Sequence, residues 1–184
     1  ADIKVMNQEI TGGAGMPDGW NRLWAPHRIS YLAGENRPLP DNDVPCPFCR
    51  IPTLEDAEGL IVARGEHAYV VMNLYPYNAG HVLVCTYRHV ADLTDLITDE
   101  RNELLELTAH TMKVIRHVSG AQGFNLGMNQ GAISGAGIAE HIHQHVVPRW
   151  SGDANFMPVI GKTKVISQLL DETRAALAEG WNLV

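Results

Sequence analysis

Apolar residues fall first in short dense runs and later in a helical stripe, and this change of period lays out the elements. The runs at residues 60–64, 67–72 and 80–86 are rich in Val, Ile and Leu and are bounded by Gly, Asn and Pro, which predicts three strands. Tyr75-Pro76-Tyr77-Asn78-Ala79-Gly80 is the predicted turn between the last two. From residue 99 to 118 the spacing becomes helical: Leu104, Leu107, Thr111, Val114 and Val118 form one stripe. Thr98 stands as N-cap, acidic residues fill the first turn and Gly120 marks the end. Residues 124–129 and 141–147 read as two further strands, and 164–179 as a terminal helix. Five strands with one long helix between the third and fourth predict an α+β fold built on an antiparallel meander.

Ahead of this region the pattern is weaker. The first twenty residues hold no sustained period and read as a loose arm, while Trp20, Trp24 and Tyr31 need a surface to pack on, either the core or a partner subunit. Residues 33–45, with Pro38, Pro40 and Pro45, read as a linker.

Composition narrows the classes. With 184 residues, 45% hydrophobic and 19% charged, the chain can bury a core of its own. A formal net charge of −7 argues against an extended nucleic-acid surface, which needs a dense Lys/Arg stripe. No apolar run approaches the roughly 20 residues of a membrane span, and no charged-then-apolar segment opens the chain, so a cytoplasmic protein is expected. Three cysteines do not make a disulfide framework.

The chemistry concentrates in His141-Ile142-His143-Gln144-His145-Val146-Val147-Pro148-Arg149. In an extended strand the three imidazoles line one face while Ile142, Gln144 and Val146 line the other. Two readings compete: a metal held by imidazoles, or a phosphate-handling centre with a nucleophilic ring. The flanks favour phosphate. Upstream, the small residues of Asn129-Gln130-Gly131-Ala132-Ile133-Ser134-Gly135-Ala136-Gly137 let backbone N–H groups approach an anion, and downstream Arg149 adds a permanent charge. Cys46-Pro47-Phe48-Cys49 is a second motif, two thiols at a spacing that zinc accepts; a redox pair or inert thiols are the other readings. Cys85, inside an apolar run, reads as a small core residue.

The row His-x-His-x-His followed by Val146 and Val147 resembles the signature of the histidine triad (HIT) family of nucleotidyl hydrolases and transferases. A second block resembles the family too: residues 68–73, a turn through Pro76, then Gly80-His81-Val82-Leu83-Val84. The resemblance spans residues 46–149 and is strongest to the bacterial diadenosine tetraphosphate phosphorylase and ATP adenylyltransferase branch. Leu23 to Pro26 and Pro148 to Phe156 resemble the extensions of that branch. It implies an arm and linker over 1–45, a HIT-like catalytic domain over 46–150 and a C-terminal extension with a helix over 151–184.

The resemblance further implies an enzyme that cleaves diadenosine polyphosphates through a covalent adenylyl intermediate on His143. Phosphate or water would resolve the intermediate. His145 would serve a phosphate oxygen or the leaving group, and His81 would donate at the same phosphate. Asn73 matches the ribose position, and Asn129, Gly135 and Gly137 the phosphate loop. Arg149 and Trp150 complete the expected substrate contacts, Trp150 either stacking on a base or packing under the C-terminal helix. Zinc-containing relatives join two such cysteines to histidines at the places of His89 and His141, which implies a closed structural zinc on Cys46, Cys49, His89 and His141. Family members are typically homodimers, with a nucleotide such as diadenosine tetraphosphate, AMP, ADP or ATP as ligand. A purine nucleoside phosphoramidase and a zinc-stabilised nucleotide-binding module without turnover are the alternative functions.

Overall fold

The computed structural model describes residues 46–153 and 168–184, all within one compact unit. The expected arm, the aromatic stretch around Trp20 to Tyr31, the linker, and residues 164–167 of the expected terminal helix lie outside the described residues. A short helix α1 (Pro47–Arg50) precedes three strands, β1 (Ile61–Arg64), β2 (Ala68–Met72) and β3 (Val82–Thr86). The long helix α2 (Thr98–Ser119) leads to β4 (Gly123–Gly127) and β5 (His143–Arg149), and α3 (Leu170–Gly180) follows.

All neighbouring strands are antiparallel, in the order β1-β2-β3-β5-β4. The sheet therefore departs from a simple meander: β4 and β5 exchange places. After α2 crosses the sheet, β4 lands at the edge, and the histidine strand fills the gap between it and β3. The row is thereby walled by strands on both sides.

Side-chain alternation then sorts the two faces. Val70, Val84 and Val146 pack with Leu104, Val114 and Ile115 of α2 and Leu177 of α3. On the other face Tyr69, Val71, Leu83 and Cys85 gather with Phe48 of α1. Cys85 is fully buried, as its apolar setting predicts.

Several boundaries differ from the sequence pattern for identifiable reasons. The N-cap of α2 is Ile97, not Thr98, and Glu100 accepts the Ile97 N–H at 2.9 Å. Glu100 is buried beneath Arg88, whose Nη2 lies 2.6 Å from it, so one carboxylate closes the helix start and a salt bridge together. Gly120 ends the helix in the left-handed region at φ 64°, where a side chain would be strained. The inward stripe runs through Leu104, Thr108, Thr111 and Ile115, while Val118 drifts to 38% exposure, because a spacing of about 3.5 residues drifts off a 3.6-residue period over about four turns. The last helix begins at Leu170, and β5 begins at His143 because Ile142 donates to Val90 outside the ladder, at 2.7 Å.

Candidate active site and metal cluster

Each histidine of the row has a different partner, and those partners assign its protons. His141 Nε2 lies 2.8 Å from the Thr86 carbonyl, which can only accept, so the proton sits on Nε2 and Nδ1 keeps its lone pair. His143 is reversed. Its Nδ1 donates to the His141 carbonyl at 2.8 Å, leaving the neutral ring a lone pair on Nε2. Burial holds its pKa below the ordinary histidine value, against the opposing pull of that carbonyl.

His145 depends on His81. The Tyr77 backbone N–H donates to His81 Nδ1 at 3.0 Å and Asn73 Nδ2 adds a second donor at 3.2 Å, so His81 carries its proton on Nε2. That proton points at His145 Nδ1, 3.0 Å away, and places the His145 proton on Nε2. His145 Nε2 is itself buried and has no partner among the described residues. His143 offers a lone pair and His145 a proton, with their ring centroids 5.0 Å apart.

His81, expected to donate at the phosphate, is placed against His145. Its side chain is fully buried, with one nitrogen facing Tyr77 N–H and the other His145. Burial first, then the neighbouring His145 and His143, push its pKa down to about 3, and burial with His143 pushes His145 down to about 4. Both rings are therefore neutral at pH 7 in the folded chain.

A sign follows for stability. Between an unfolded value near 6.5 and these lowered values, the unfolded chain binds protons that the folded chain refuses. Stability present above about pH 6.5 is therefore lost as pH falls through the window down to about 4 and 3. Denaturant melts are expected to show a loss on the order of 2 kcal/mol by about pH 5 from His81 alone. A His145→Asn variant should decline less steeply; an unchanged slope would contradict the coupling.

Cys46 and Cys49 at α1 meet His89, just beyond β3, and His141 before β5. Their donor atoms all lie within 4.8 Å of one another. Cys49 Sγ to His89 Nδ1 is 3.2 Å, His89 Nδ1 to His141 Nδ1 3.3 Å, and His141 Nδ1 lies 3.4 Å from Cys46 Sγ and 3.5 Å from Cys49 Sγ. Bonds of about 2.0–2.3 Å to a tetrahedral ion imply donor–donor edges of about 3.3–3.8 Å, and the His141 lone pair faces the cluster, so these four residues could hold a metal.

The remaining expected residues are placed unevenly. Asn73 tightens the turn, its Oδ1 accepting the Tyr75 N–H at 3.0 Å while its amide meets His81. Asn129 is half-buried at the start of the loop before β5. In that loop Gly135 takes φ 87° after the short turn Ala132–Ser134, Gly137 is exposed, and Ile138 packs beside the Phe48 cluster. Arg149 lies about 13 Å along β5 from His145, its guanidinium drawn onto Asp153 at 2.7 and 2.9 Å and onto Asn125 at 2.9 Å. Trp150 Nε1 donates to the carbonyl of Ser119 at the end of α2, and its ring packs against the helix-side core.

Three features escaped the sequence pattern. Phe48 packs on His143 at 4.8 Å and edge-on to His141 at 5.6 Å, so it lies between the His143 ring and the Cys/His cluster. Tyr77 stacks on His145 at 5.5 Å with 13° between planes. A cavity of about 250 Å³ opens among Arg50, Ile51, Leu54, Leu60, Val71 and Leu74. Val71 pairs with Leu83 and Leu83 with His145, so the cavity wall stands two strands, roughly 10 Å, from the row. The flanking cysteines were a signal for Phe48; nothing local marked the other two.

A lone-pair imidazole beside a proton-bearing one, an apolar cavity within reach and four thiol and imidazole donors that could hold a metal together suit an enzyme that processes phosphorylated ligands. The chain belongs to the HIT family: the HIT domain model matches residues 55–152. It is 49% identical over 172 residues to a Mycobacterium tuberculosis protein described as AP-4-A phosphorylase, covering 92% of this chain and 88% of that one. Among solved structures, a hypothetical histidine triad nucleotide-binding protein from Sulfolobus tokodaii superposes with a TM-score of 0.62 at 26% identity, covering 75% of this chain and 93% of that one. A Zn-bound histidine triad family protein from Mycobacterium smegmatis shares the fold with a TM-score of 0.60 at 24% identity, covering 75% and 94%.

Proposed function

We propose that this HIT-family enzyme cleaves diadenosine polyphosphates through an adenylyl group carried on His143 Nε2. The observation that carries the reading is the opposed protonation of His143 and His145, set by the His141 carbonyl and by His81. The likeness to a relative described as AP-4-A phosphorylase supports the substrate class.

One adenosine would occupy the cavity walled by Val71 and Leu74. In the first step the His143 Nε2 lone pair forms a bond to the α-phosphorus and the bond from that phosphorus to the bridging oxygen breaks. ATP leaves from diadenosine tetraphosphate as its own anion, with the His145 Nε2–H hydrogen-bonded to the departing oxygen. In the second step an oxygen of phosphate or water attacks the same phosphorus and the P–N bond breaks, returning the electron pair to His143. The incoming oxygen's proton stays on the product phosphate or passes to solvent, and His145 keeps its Nε2 proton throughout. Neutral rings suit both steps, since a protonated His143 has no lone pair to give.

Cys46, Cys49, His89 and His141 would hold a zinc ion. When bound, the zinc supplies a structural staple with all four positions filled by protein. Paired thiolate ligands persist in a reducing compartment, which is the reason to expect the protein in the cytoplasm. Residues 1–45 are proposed as an arm and linker, and 151–184 as an extension of the catalytic domain. A homodimer is also proposed. β4 is one of the two edge strands of the sheet and exposes Leu126 at 49%, a surface a two-fold copy would cover. Sedimentation at micromolar concentration is expected to give twice the chain mass; a monomer that still turns over would rule the dimer out.

The deciding experiment is product analysis on diadenosine tetraphosphate with and without inorganic phosphate. ADP plus ATP indicates phosphorolysis and AMP plus ATP hydrolysis. Failure to release any nucleotide under either condition would overturn the reading.

A further inference from the structure

The geometry points to a second nucleobase subsite on the turn between β2 and β3, an aromatic shelf formed by Leu74, Tyr75 and Tyr77. The inference rests on the cleavage proposed above and adds where the half of the substrate that leaves is held.

The cavity has room for one nucleoside, and its wall includes Leu74. The departing polyphosphate must pass His145, because the unpartnered Nε2 proton of that ring serves the leaving oxygen. The turn spans the interval between these two points. It starts at Leu74 on the cavity and reaches Tyr77, whose ring lies nearly parallel to His145 at 5.5 Å.

Along this short path Leu74 is 62% exposed, Tyr75 84% and Tyr77 57%. Three large apolar side chains within four positions rarely face water together unless something covers them. The backbone beneath them is fixed. Tyr75 N–H is held by Asn73 Oδ1, Tyr77 N–H by His81 Nδ1, and His81 N–H by the Asn78 carbonyl. Asn78 in turn donates to Asp153 at 2.7 Å and to the Pro148 carbonyl at 3.0 Å. The rings are thus presented from an ordered turn with little entropy left to lose.

Such a shelf matches a purine. Every base offers a π face, and stacking on an aromatic ring needs no hydrogen-bond code. Continuity with the cavity at one end and with the leaving-group histidine at the other selects the second base of the same dinucleotide as occupant. Tyr77 also orders His145, so Tyr75, whose ring lies almost wholly in solvent, is the cleaner probe.

The test compares diadenosine tetraphosphate with adenosine 5′-tetraphosphate, which keeps the four phosphates and lacks the second adenosine. Full-length Tyr75→Ala is expected to lose about tenfold in kcat/KM on the dinucleotide, mainly through KM, and less than about twofold on the mononucleoside. Tyr75→Phe should retain the wild-type preference. An equal loss on both substrates, or no loss on the dinucleotide, overturns the shelf while leaving the function intact. A wild-type protein that cleaves neither compound overturns the functional reading and the shelf with it.

Discussion

Replacement of His143 by Asn is expected to lower turnover by about four orders of magnitude or more while the fold persists. In the proposed mechanism the side chain supplies the lone pair that attacks phosphorus, and no second group in the row is held with an unprotonated nitrogen facing the same space. His145 carries its proton on Nε2, and the free nitrogen of His141 is turned toward the metal cluster. Losing a covalent nucleophile removes the route that divides one hard displacement into two. Binding should change little, because the cavity wall at Val71 and Leu74 is untouched. Single-turnover kinetics and equilibrium nucleotide binding on the same preparation separate the two effects. Turnover near the wild-type rate in rigorously purified His143→Asn protein would eliminate the covalent route.

Cys49→Ser is expected to release the metal, lower the melting temperature by about 10 °C or more and slow the chemical step. Cys49 Sγ approaches both His89 and His141, so its loss opens the cluster on two edges. Binding free energy at a closed site is folding free energy, and on the order of 3–5 kcal/mol lost here converts to roughly 10–15 °C for a chain of this size. The kinetic effect has a separate origin. His141 has its ring in the cluster and its carbonyl on His143 Nδ1, so a loosened His141 also loosens the group that fixes the nucleophile's proton. A roughly tenfold fall in kcat with KM nearly unchanged is the expected signature. Elemental analysis of native protein, melting curves and steady-state kinetics provide the check. An empty site in protein never exposed to chelator would defeat the metal assignment, and an unchanged kcat in Cys49→Ser would defeat the coupling.

What the sequence determined by itself was whatever depends on near neighbours. The spacing of His141, His143 and His145 puts three rings on one face because strand side chains alternate, whatever surrounds the strand. The apolar runs marked each strand to within a few residues, and the glycine after Ser119 marked the helix end, since a left-handed residue there needs no tertiary help. Chemistry carried by residue type was equally legible, as in the two thiols around Pro47 and Phe48. Which nitrogen holds which proton was not. That depends on Thr86 for His141 and on His81 for His145, partners 55 and 64 positions away, and no local period reports them. The burial of His81 and the pairing of Arg149 with Asp153 likewise had to await the folded chain. So did the exchange of β4 and β5, because the hydrophobic pattern says which face of a strand is buried but not which neighbour it pairs with. The row was written in the sequence, but which nitrogen of His141 and of His145 carries its proton was decided only when the sheet brought Thr86 and His81 to them.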